Sequence, residues 1–425
     1  MTTGKQELPN RWAIVAAAIL MQIALGAVYG WSVFVNPLME QYGWSRSEVT
    51  LAFTLAILFL GFGTILGGLL QDRKGPRLVA TIAGIFYGLS YILTALATSL
   101  PVLYLTYGVI GGVAMGMGYI VPVAVLVKWF PDKRGLITGL AVCGYGAGAL
   151  LMSPIAAWMI ETYGLSATFA LLGVAYLIMV TGAAQFYRNP PEGWSPPGWT
   201  PTEKQMESRA ARDFGVREAL RTRQFWMLFF MLFLNVSAGI MIISQASPMG
   251  QEIINLDAVE SAALVVGIIS LFNAFGRIFW AAVSDWIGRR GVFIIMFLLQ
   301  ALLFLFLPNL NTVGLFVATT ALIALCYGGG FGTMPSFCAD YFGTKNVGGI
   351  YGWMLLAWGL AAVPSPLMIA RIRELTGTYT IALYVIAAVM AAAVILPLIV
   401  RPPRKAEESS PPTSRDSGSS IGAPR

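Results

Sequence analysis

The chain lacks histidine altogether and has few charged residues of either sign. Only 11% of its 425 residues are Asp, Glu, Lys or Arg, against about 25% in an ordinary soluble domain. Without histidine there is no His proton relay, no His-containing zinc site and no Ser-His-Asp triad. We therefore expect neither an enzyme of these classes nor a metal or cofactor site.

Cysteine is also scarce. Cys143, Cys326 and Cys338 are the only three in the sequence, and all of them lie within apolar runs. An odd number of thiols in such segments is typical of small packing residues and does not indicate a disulfide framework.

Apolar residues make up 57% of the chain and form long runs. A run of about 20 such residues can cross the hydrocarbon core of a bilayer as a helix. Runs of this kind lie near residues 12–35, 49–70, 78–98, 101–127, 136–160, 166–187, 224–247, 258–283, 291–308, 312–338, 347–369 and 379–400. We therefore predict an all-α membrane protein with twelve transmembrane helices surrounded by the lipid bilayer.

The formal net charge of +7 is explained by where the positive residues lie. With both termini in the cytoplasm, about 23 Lys and Arg residues fall in cytoplasmic segments and about 3 outside, in keeping with the positive-inside rule. This bias predicts a multi-pass membrane protein with both termini cytoplasmic. A nucleic-acid partner is not needed to explain the basic charge.

Prolines and charged residues interrupt the apolar pattern between residues 188 and 223. The last residues are rich in Ser, Pro and charge, a composition that cannot form a packed core. We expect an N-terminal six-helix bundle over residues 1–188, a cytoplasmic linker over 189–223, a C-terminal six-helix bundle over 224–401 and a disordered cytoplasmic tail over 402–425.

The two halves of the chain repeat one another at their loops. Asp72, after the second run, corresponds to Asp285 after the eighth run, 213 positions later. Trp129 and Tyr341, after the fourth and tenth runs, correspond at a distance of 212 positions. Two matches at nearly one offset indicate a tandem duplication, and transporters built in this way bind their substrate between the two halves.

At these loops the chain resembles the major facilitator superfamily. The family signature G-x-x-x-D-R-x-G-x-R is matched at Gly68–Arg77. It is matched less completely at Ala281–Arg290, which lacks the leading glycine and the Arg after the Asp. The resemblance implies the major facilitator fold, with two pseudo-symmetric six-helix halves that alternate access to a central site.

The same resemblance implies that the signature loops are gates. Asp72, Arg73 and Arg77 would act in the first half, with Asp72 accepting hydrogen bonds from a neighbouring helix end and from Arg side chains. Asp285 and Arg289 would act in the second half. The alternative is that these residues belong to solvated turns.

A finer resemblance is to the bacterial oxalate/formate antiporters and monocarboxylate transporters. It covers residues 11–401 and is carried by Gly26–Phe34, Asn273–Arg277, Ser284–Arg289 and Tyr341–Gly352. It implies a carrier of small carboxylic acids in the bacterial inner (cytoplasmic) membrane.

Arg277 is the residue that constrains function most, because it lies inside an apolar run. A charge at mid-membrane depth costs roughly 2.5–3.5 kcal/mol on insertion scales, so it normally faces a cavity or a partner. Asn273 lies one helical turn earlier on the same face. Because the fork of a guanidinium matches a carboxylate, we predict that Arg277, with Asn273, binds a small organic anion. The alternative is a structural arginine paired to a carboxylate or to backbone carbonyls.

Trp358 bears on which acid is carried. The oxalate carriers have a lysine in helix 11, and the corresponding position here is Trp358. One buried cation matches one carboxylate, whereas a dianion would leave a charge unpaired in a low dielectric. We therefore predict a monocarboxylate such as lactate or pyruvate, with an oxalate/formate-type antiporter as the alternative.

Aromatic residues in glycine-rich stretches complete the predicted site. They are Tyr29, Tyr119, Tyr145, Tyr327 and Phe331, and in the resembled carriers the corresponding positions line the central cavity. Phenols can donate to a carboxylate while their rings pack its apolar tail. The alternative is that they only pack helices together or lie at the membrane interface.

The residue that would carry a coupling proton is harder to choose. Monocarboxylate carriers usually have an aspartate one turn before the arginine, and Asn273 replaces it here. The first candidate is then Asp257, at the outer start of helix 8, where partial burial would favour protonation. The alternatives are that Asp257 is a solvated acid at a helix N-terminus and that the substrate enters already protonated.

We therefore predict a monomeric secondary transporter that moves a small monocarboxylate by proton symport. A membrane sensor or an intramembrane enzyme is disfavoured, because the sequence contains no signalling domain and no nucleophile–base or metal constellation.

Overall fold

The computed structural model describes residues 10–191, 193–201, 212–254 and 265–403. The described chain is helical almost throughout and contains no strand. Twelve described helices are long and apolar enough to cross a membrane, which confirms the predicted number of spans. We number them α1 (Arg11–Gly30), α2 (Arg46–Lys74), α3 (Pro76–Thr94), α4 (Leu100–Trp129), α5 (Arg134–Tyr163), α6 (Leu165–Ala184), α7 (Arg223–Ala246), α8 (Gly267–Ile287), α9 (Arg289–Asn309), α10 (Val313–Phe342), α11 (Val347–Thr376) and α12 (Thr380–Ile399). The predicted tail lies outside the described residues from position 404 onward.

The helix formed by the first apolar run changes from α-helical to 3₁₀ geometry before the run ends. Regular α-helix stops at Gly26, a 3₁₀ turn follows over Ala27–Gly30, and a second helix runs over Ser32–Tyr42. A Cβ on Gly26 would lie 2.1 Å from the carbonyl oxygen of Tyr145. The backbones of α1 and α5 are therefore in direct contact at the level where α1 changes its winding.

α11 is interrupted near its middle. Its first segment ends at Ala362, and a second segment, Pro364–Thr376, begins with a residue that has no N–H to donate. The sequence predicted a span ending at residue 369, but the helix continues to Thr376. Gly377, at φ 76°, ends it in the left-handed region that favours glycine.

The two six-helix halves meet along two helix pairs. α2 packs against α11, and α8 packs against α5. The repeat relates these pairs to each other, because α2 and α5 in the first half correspond to α8 and α11 in the second. Across the first pair, the Thr64 hydroxyl donates to the carbonyl oxygen of Gly352 at 3.0 Å. The predicted arrangement of two pseudo-symmetric halves is therefore confirmed.

α8 is held on two sides at the level of Arg277. A Cβ on Gly139 of α5 would lie 2.4 Å from the carbonyl oxygen of Arg277, and one on Gly332 of α10 would lie 2.1 Å from it. These glycines allow both neighbouring helices to touch the backbone of α8. Arg277 is thereby placed between a helix of the first half and a helix of the second.

Candidate substrate site and gates

Arg277 is completely buried in α8. Its Nε donates to Asn273 Oδ1 at 3.5 Å, and its Nη1 donates to the carbonyl oxygen of Val142 on α5 at 3.3 Å. Its Nη2 is buried and has no hydrogen-bond partner among the described residues. Asn273 and α5 therefore orient the guanidinium, and one of its nitrogens is left to bind another acceptor.

Aromatic side chains surround this guanidinium. We call the following six residues the aromatic cage: Tyr29, Tyr119, Tyr145, Tyr327, Phe331 and Trp358. Arg277 Cζ lies 4.9 Å from the ring centroid of Phe331 and 5.7 Å from that of Tyr145. Aromatic rings at this distance attract a cation through their quadrupoles. The structure thus brings all the aromatic residues of the predicted site together around Arg277.

The cage is assembled from both halves. The ring centroid of Tyr119, on α4, lies 5.1 Å from that of Tyr145 on α5 and 5.6 Å from that of Trp358 on α11. The ring of Trp358 lies 4.7 Å from that of Phe331 on α10. These contacts are edge to face, an arrangement that adds to the burial of the rings. Because the rings of the two halves pack on each other, movement of one half against the other must open the cage.

One residue of the cage is more exposed to solvent than the others. Tyr29 is only partly buried, whereas the other five rings are at most 1% exposed. The phenol oxygen of Tyr29 lies 3.4 Å from that of Tyr327, so these two hydroxyls satisfy each other. Tyr29 is therefore the most exposed residue of the cage.

Tyr351 belongs to the same cluster, although it was not predicted as a site residue. It is 1% exposed, and its phenol interacts with that of Tyr119. It precedes Trp358 by seven residues, which is two helical turns, so the two side chains project from one face of α11. That spacing is the signal by which the sequence could have indicated it.

The first of the two predicted gates lies at the end of α2, where the two halves are in contact. We call this end of the bundle, which carries the loops after α2, α4, α8 and α10, the basic end. Asp72 Oδ2 accepts from the backbone N–H of Gly349, in the first turn of α11, at 2.6 Å, and Oδ1 lies 3.9 Å from Lys128 Nζ. Carboxylates are stabilised at helix N-termini by unpaired N–H groups and the helix dipole. Asp72 therefore ties the first half to the start of α11.

Among the described residues no arginine contacts Asp72, and the cation beside it is Lys128. Arg73 is exposed, and Arg77 Nε donates to Gln185 Oε1 within the same half at 2.8 Å. Arg77 lies in the first turn of α3, next to the end of α6, so its side chain is drawn away from the interface. A gating role for Arg73 and Arg77 stays a prediction.

Asp285 makes the pseudo-symmetric contact at the start of α5. Its two oxygens accept from the backbone N–H groups of Gly135 and Leu136 at 3.1 and 3.0 Å. Arg289 Nη1 also donates to Asp285, at 2.7 Å. Asp72 and Asp285 therefore make equivalent contacts, since each carboxylate binds the N-terminus of a helix in the other half.

Asp340 of α10 adds a contact that the sequence did not predict. Its Oδ2 accepts from Arg289 Nε at 3.1 Å, and its Oδ1 accepts from Arg134 Nη1 at 2.7 Å. All three side chains are largely buried. Because Arg134 belongs to the first half, Asp340 is a third carboxylate that joins the halves at the basic end.

The described part of the linker is fixed to this end as well. The Phe214 N–H donates to the Phe342 carbonyl at 2.9 Å, and Asn346 Nδ2 donates to the Phe214 carbonyl at 2.7 Å. Asp213 Oδ1 accepts from the Lys345 N–H at 3.1 Å. The linker therefore docks on the loop between α10 and α11, beside the first gate.

Asp257, the predicted proton-coupling residue, lies outside the described residues. Glu252, another carboxylate in that part of the sequence, accepts from Arg373 Nε at 3.0 Å and from the Tyr379 N–H at 3.2 Å. Glu252 is therefore engaged within the second half, away from the cage.

Two pseudo-symmetric six-helix halves that enclose a buried cation and are joined by carboxylate contacts at one end are typical of a secondary transporter. The model of the Major Facilitator Superfamily matches residues 15–366 and, in a second alignment, 262–423. The chain belongs to this superfamily, which confirms the resemblance seen in its loops. It is a multi-pass membrane transporter and not an enzyme.

Relatives are known at moderate identity. The uncharacterized MFS-type transporter YhjX of Escherichia coli is 34% identical over 83% of this chain and 86% of its own length. The oxalate:formate antiporter of Oxalobacter formigenes is 30% identical over 84% and 83% of the two chains. The apicoplast pyruvate carrier 1 of Toxoplasma gondii is 28% identical over 77% and 70%.

Solved structures show the same fold. The human organic anion transporter MFSD10 (TETRAN) superposes with a TM-score of 0.72 at 14% identity, over 92% of this chain and 100% of that one. The transporter FucP in the outward conformation superposes with a TM-score of 0.70 at 13% identity, over 90% and 97%. At these identities the likeness shows the fold alone.

Proposed function

We propose that the protein moves a small monocarboxylate, of the lactate or pyruvate kind, across the membrane by alternating access in symport with a proton. The observation that carries this proposal is Arg277, which is fully buried within the aromatic cage and has one nitrogen without an acceptor. A guanidinium binds a carboxylate through charge-assisted hydrogen bonds, and the rings cover an apolar tail. The names of two relatives, an oxalate:formate antiporter and a pyruvate carrier, support a small organic acid as substrate.

The acid proposed here has one carboxylate. Arg277 is the one cation in contact with the described cage rings, and Trp358 closes the side on α11 with an apolar ring. A second carboxylate placed there would be buried without a partner, which costs several kcal/mol. The uncharged hydroxyethyl group of lactate or acetyl group of pyruvate, by contrast, can pack against aromatic rings.

The coupling proton is carried by the substrate or by Asp257. The described cage consists of aromatic side chains around one guanidinium, and it contains no carboxylate that could take up a proton. A substrate that binds as the neutral acid brings its own proton across the membrane. The proton and the carboxylate are then released together inside the cell. Asp257, which lies outside the described residues, would instead bind the proton separately from the anion.

The described conformer is closed at the basic end, where Asp72, Asp285 and Asp340 join the halves. By the positive-inside rule this end faces the cytoplasm, so the linker over 189–223, the tail over 402–425 and both termini are cytoplasmic. The substrate then reaches the cage from outside, past Tyr29, and leaves when the three contacts break as the halves rock. The halves of one chain complete the site, so a monomer suffices.

Exchange of a dicarboxylate for a monocarboxylate is the second candidate function. It is favoured by the 30% identity to the oxalate:formate antiporter over 84% of this chain. It requires Arg277 and the phenols of the cage to bind a dianion without a second cation.

Uptake of labelled lactate and, separately, labelled oxalate into proteoliposomes distinguishes the two functions. Lactate accumulation driven by an inward proton gradient, without oxalate uptake, is the expected result. Oxalate uptake that depends on internal formate and is indifferent to the gradient would establish exchange instead. Protein-free liposomes with the same gradient control for passive entry of the neutral acid.

A further inference from the structure

Three buried hydrogen-bond donors without partners lie together beside the aromatic cage. They are Arg277 Nη2, the Tyr119 hydroxyl and the Tyr351 hydroxyl, and none has a hydrogen-bond partner among the described residues. All three side chains are at most 1% exposed, so they are shielded from bulk solvent in this conformer. Folded proteins rarely leave one buried donor unsatisfied, and a group of three calls for an acceptor.

These donors are neighbours in space. The phenols of Tyr119 and Tyr351 interact with each other, and the charge of Arg277 acts on both. The hydroxyls of Tyr29 and Tyr327 form a second phenol pair, 3.4 Å apart, in which one hydroxyl donates to the other. The unsatisfied donors are therefore concentrated on one side of the cage.

A carboxylate is the ligand that matches this group. An ionised carboxylate only accepts hydrogen bonds, has about four acceptor positions on its two oxygens, and carries the charge that a guanidinium attracts. Packing alone explains the rings but not the hydroxyls, since phenylalanine at positions 119 and 351 would fill the same space without burying an unsatisfied donor.

We propose that Tyr351 is a further substrate-binding residue. Its hydroxyl, the hydroxyl of Tyr119 and Nη2 of Arg277 together bind the carboxylate of the substrate. The inference rests on the proposed function, which supplies a carboxylate as the ligand. α11 begins at the basic end, and Tyr351 lies two turns nearer that end than Trp358. The carboxylate therefore points toward the basic end, and the tail of the acid lies against Trp358.

This donor set also connects binding with the movement of the halves. Tyr119 belongs to the first half, and Arg277 and Tyr351 belong to the second. A carboxylate bound by all three joins the halves while the basic end is closed. When the halves separate at that end, Tyr119 moves away from the other two donors, and the loss of one donor favours release on that side.

The test compares Tyr351→Phe, which removes only the hydroxyl, with Tyr187→Phe. Tyr187 is a matched control because it is also fully buried and its hydroxyl also lacks a partner, but it lies beyond the end of α6. The KM for labelled lactate should rise about tenfold in Tyr351→Phe, as expected for one lost hydrogen bond to a charged group, with the maximal rate within about twofold of the wild type. Tyr187→Phe should leave the KM unchanged.

A second variant distinguishes weaker substrate binding from an effect of the substitution on folding. Tyr119→Phe should raise the KM by a similar factor, and the double variant should raise it by less than the product of the two, because both hydroxyls bind one ligand. A KM for Tyr351→Phe within about twofold of the wild type, with Arg277→Ala inactive, would overturn the role of Tyr351 and leave the proposed function standing. If the wild type takes up oxalate in place of lactate, the same variants are measured with oxalate. Uptake of neither acid would overturn both proposals.

Discussion

The indole of Trp358 packs edge to face on the ring of Phe331, with their centroids 4.7 Å apart, and Phe331 in turn lies 4.9 Å from the guanidinium of Arg277. A neutral ring from α11 is therefore one ring removed from the buried positive charge. This relationship supports our proposal that the site binds one negative charge next to an apolar wall.

Replacing Trp358 by lysine should change the acid that is carried. Trp358→Lys adds a second cation on the face of α11 that meets the cage, so a dicarboxylate can be neutralised and a monocarboxylate leaves a charge unpaired. We expect labelled oxalate uptake to become measurable and lactate uptake to fall about tenfold or more. Trp358→Phe is the control, because it keeps an apolar ring and should keep the preference for lactate. Loss of lactate uptake without any gain for oxalate would show that Trp358 does not set the charge preference.

Gly332 should not tolerate a methyl group, although Gly314 on the same helix should. A Cβ at position 332 would lie 2.1 Å from the carbonyl oxygen of Arg277, whereas one at position 314 meets nothing within 4 Å. Gly332→Ala must push α10 from α8 and displace the guanidinium. We expect lactate uptake to fall about tenfold or more, in line with the cost of a small misplacement at a site, and Gly314→Ala to behave as the wild type. Equal uptake by the two variants would contradict the close packing of α8 between its neighbours.

Asp72→Asn should weaken closure at the basic end. The variant keeps a side chain of the same size but removes the charge that binds the start of α11, an interaction typically worth about 1 kcal/mol. Cys338, which is 0% exposed and lies among the charges of this end, can report opening by its rate of alkylation in a chain whose other cysteines are serine. A loss of about 1 kcal/mol corresponds to roughly fivefold faster alkylation. Arg73→Gln is the control, since Arg73 is exposed, and equal rates in the two variants would count against Asp72 as a gate.

Asp340→Ala should lower thermal stability more than the loss of a surface ion pair does. The substitution leaves Arg134 without its carboxylate partner and removes one of the two carboxylates that pair with Arg289. The side chains of these three residues are only 8–12% exposed. Removing one partner of a buried pair is destabilising because the other charge is left uncompensated. Glu374→Gln is the control, because Glu374 and Arg371 are 63% and 69% exposed and such pairs contribute little. We expect a fall in the apparent melting temperature of the detergent-solubilised protein for Asp340→Ala only, and equal melting temperatures would contradict the bridging role of Asp340.

Much of the fold could be predicted from the sequence because a bilayer imposes simple rules. The number of spans and the two repeated halves were confirmed, since apolar length and a duplicated loop signature are local properties of the chain. The ends of spans were less accurate. α11 continues to Thr376 and is broken at Pro364, and α1 changes its winding where Gly26 meets Tyr145, because such details depend on contacts between helices.

The residues of the candidate site were likewise predictable only where a local feature of the sequence marked them. Arg277 could be chosen from the sequence because an arginine in an apolar run is rare and costly, and the cage residues were suggested by the resemblance. Lys128 and Asp340 could not be chosen, because each acquires its importance from a partner on another helix that no sequence periodicity indicates. Tyr351 was marked only by its seven-residue spacing from Trp358. The roles of all these residues in transport stay predictions.

The measurement that tests the central claim most directly is the initial rate of labelled lactate uptake by Arg277→Ala and Arg277→Lys at equal amounts of reconstituted protein. The account predicts no uptake above background for Arg277→Ala. It predicts less than about one tenth of the wild-type rate for Arg277→Lys, because a point charge does not replace the planar fork. Arg371→Ala, which removes an exposed arginine, should transport as the wild type does. Wild-type uptake by Arg277→Ala would contradict the claim that this guanidinium binds the substrate carboxylate.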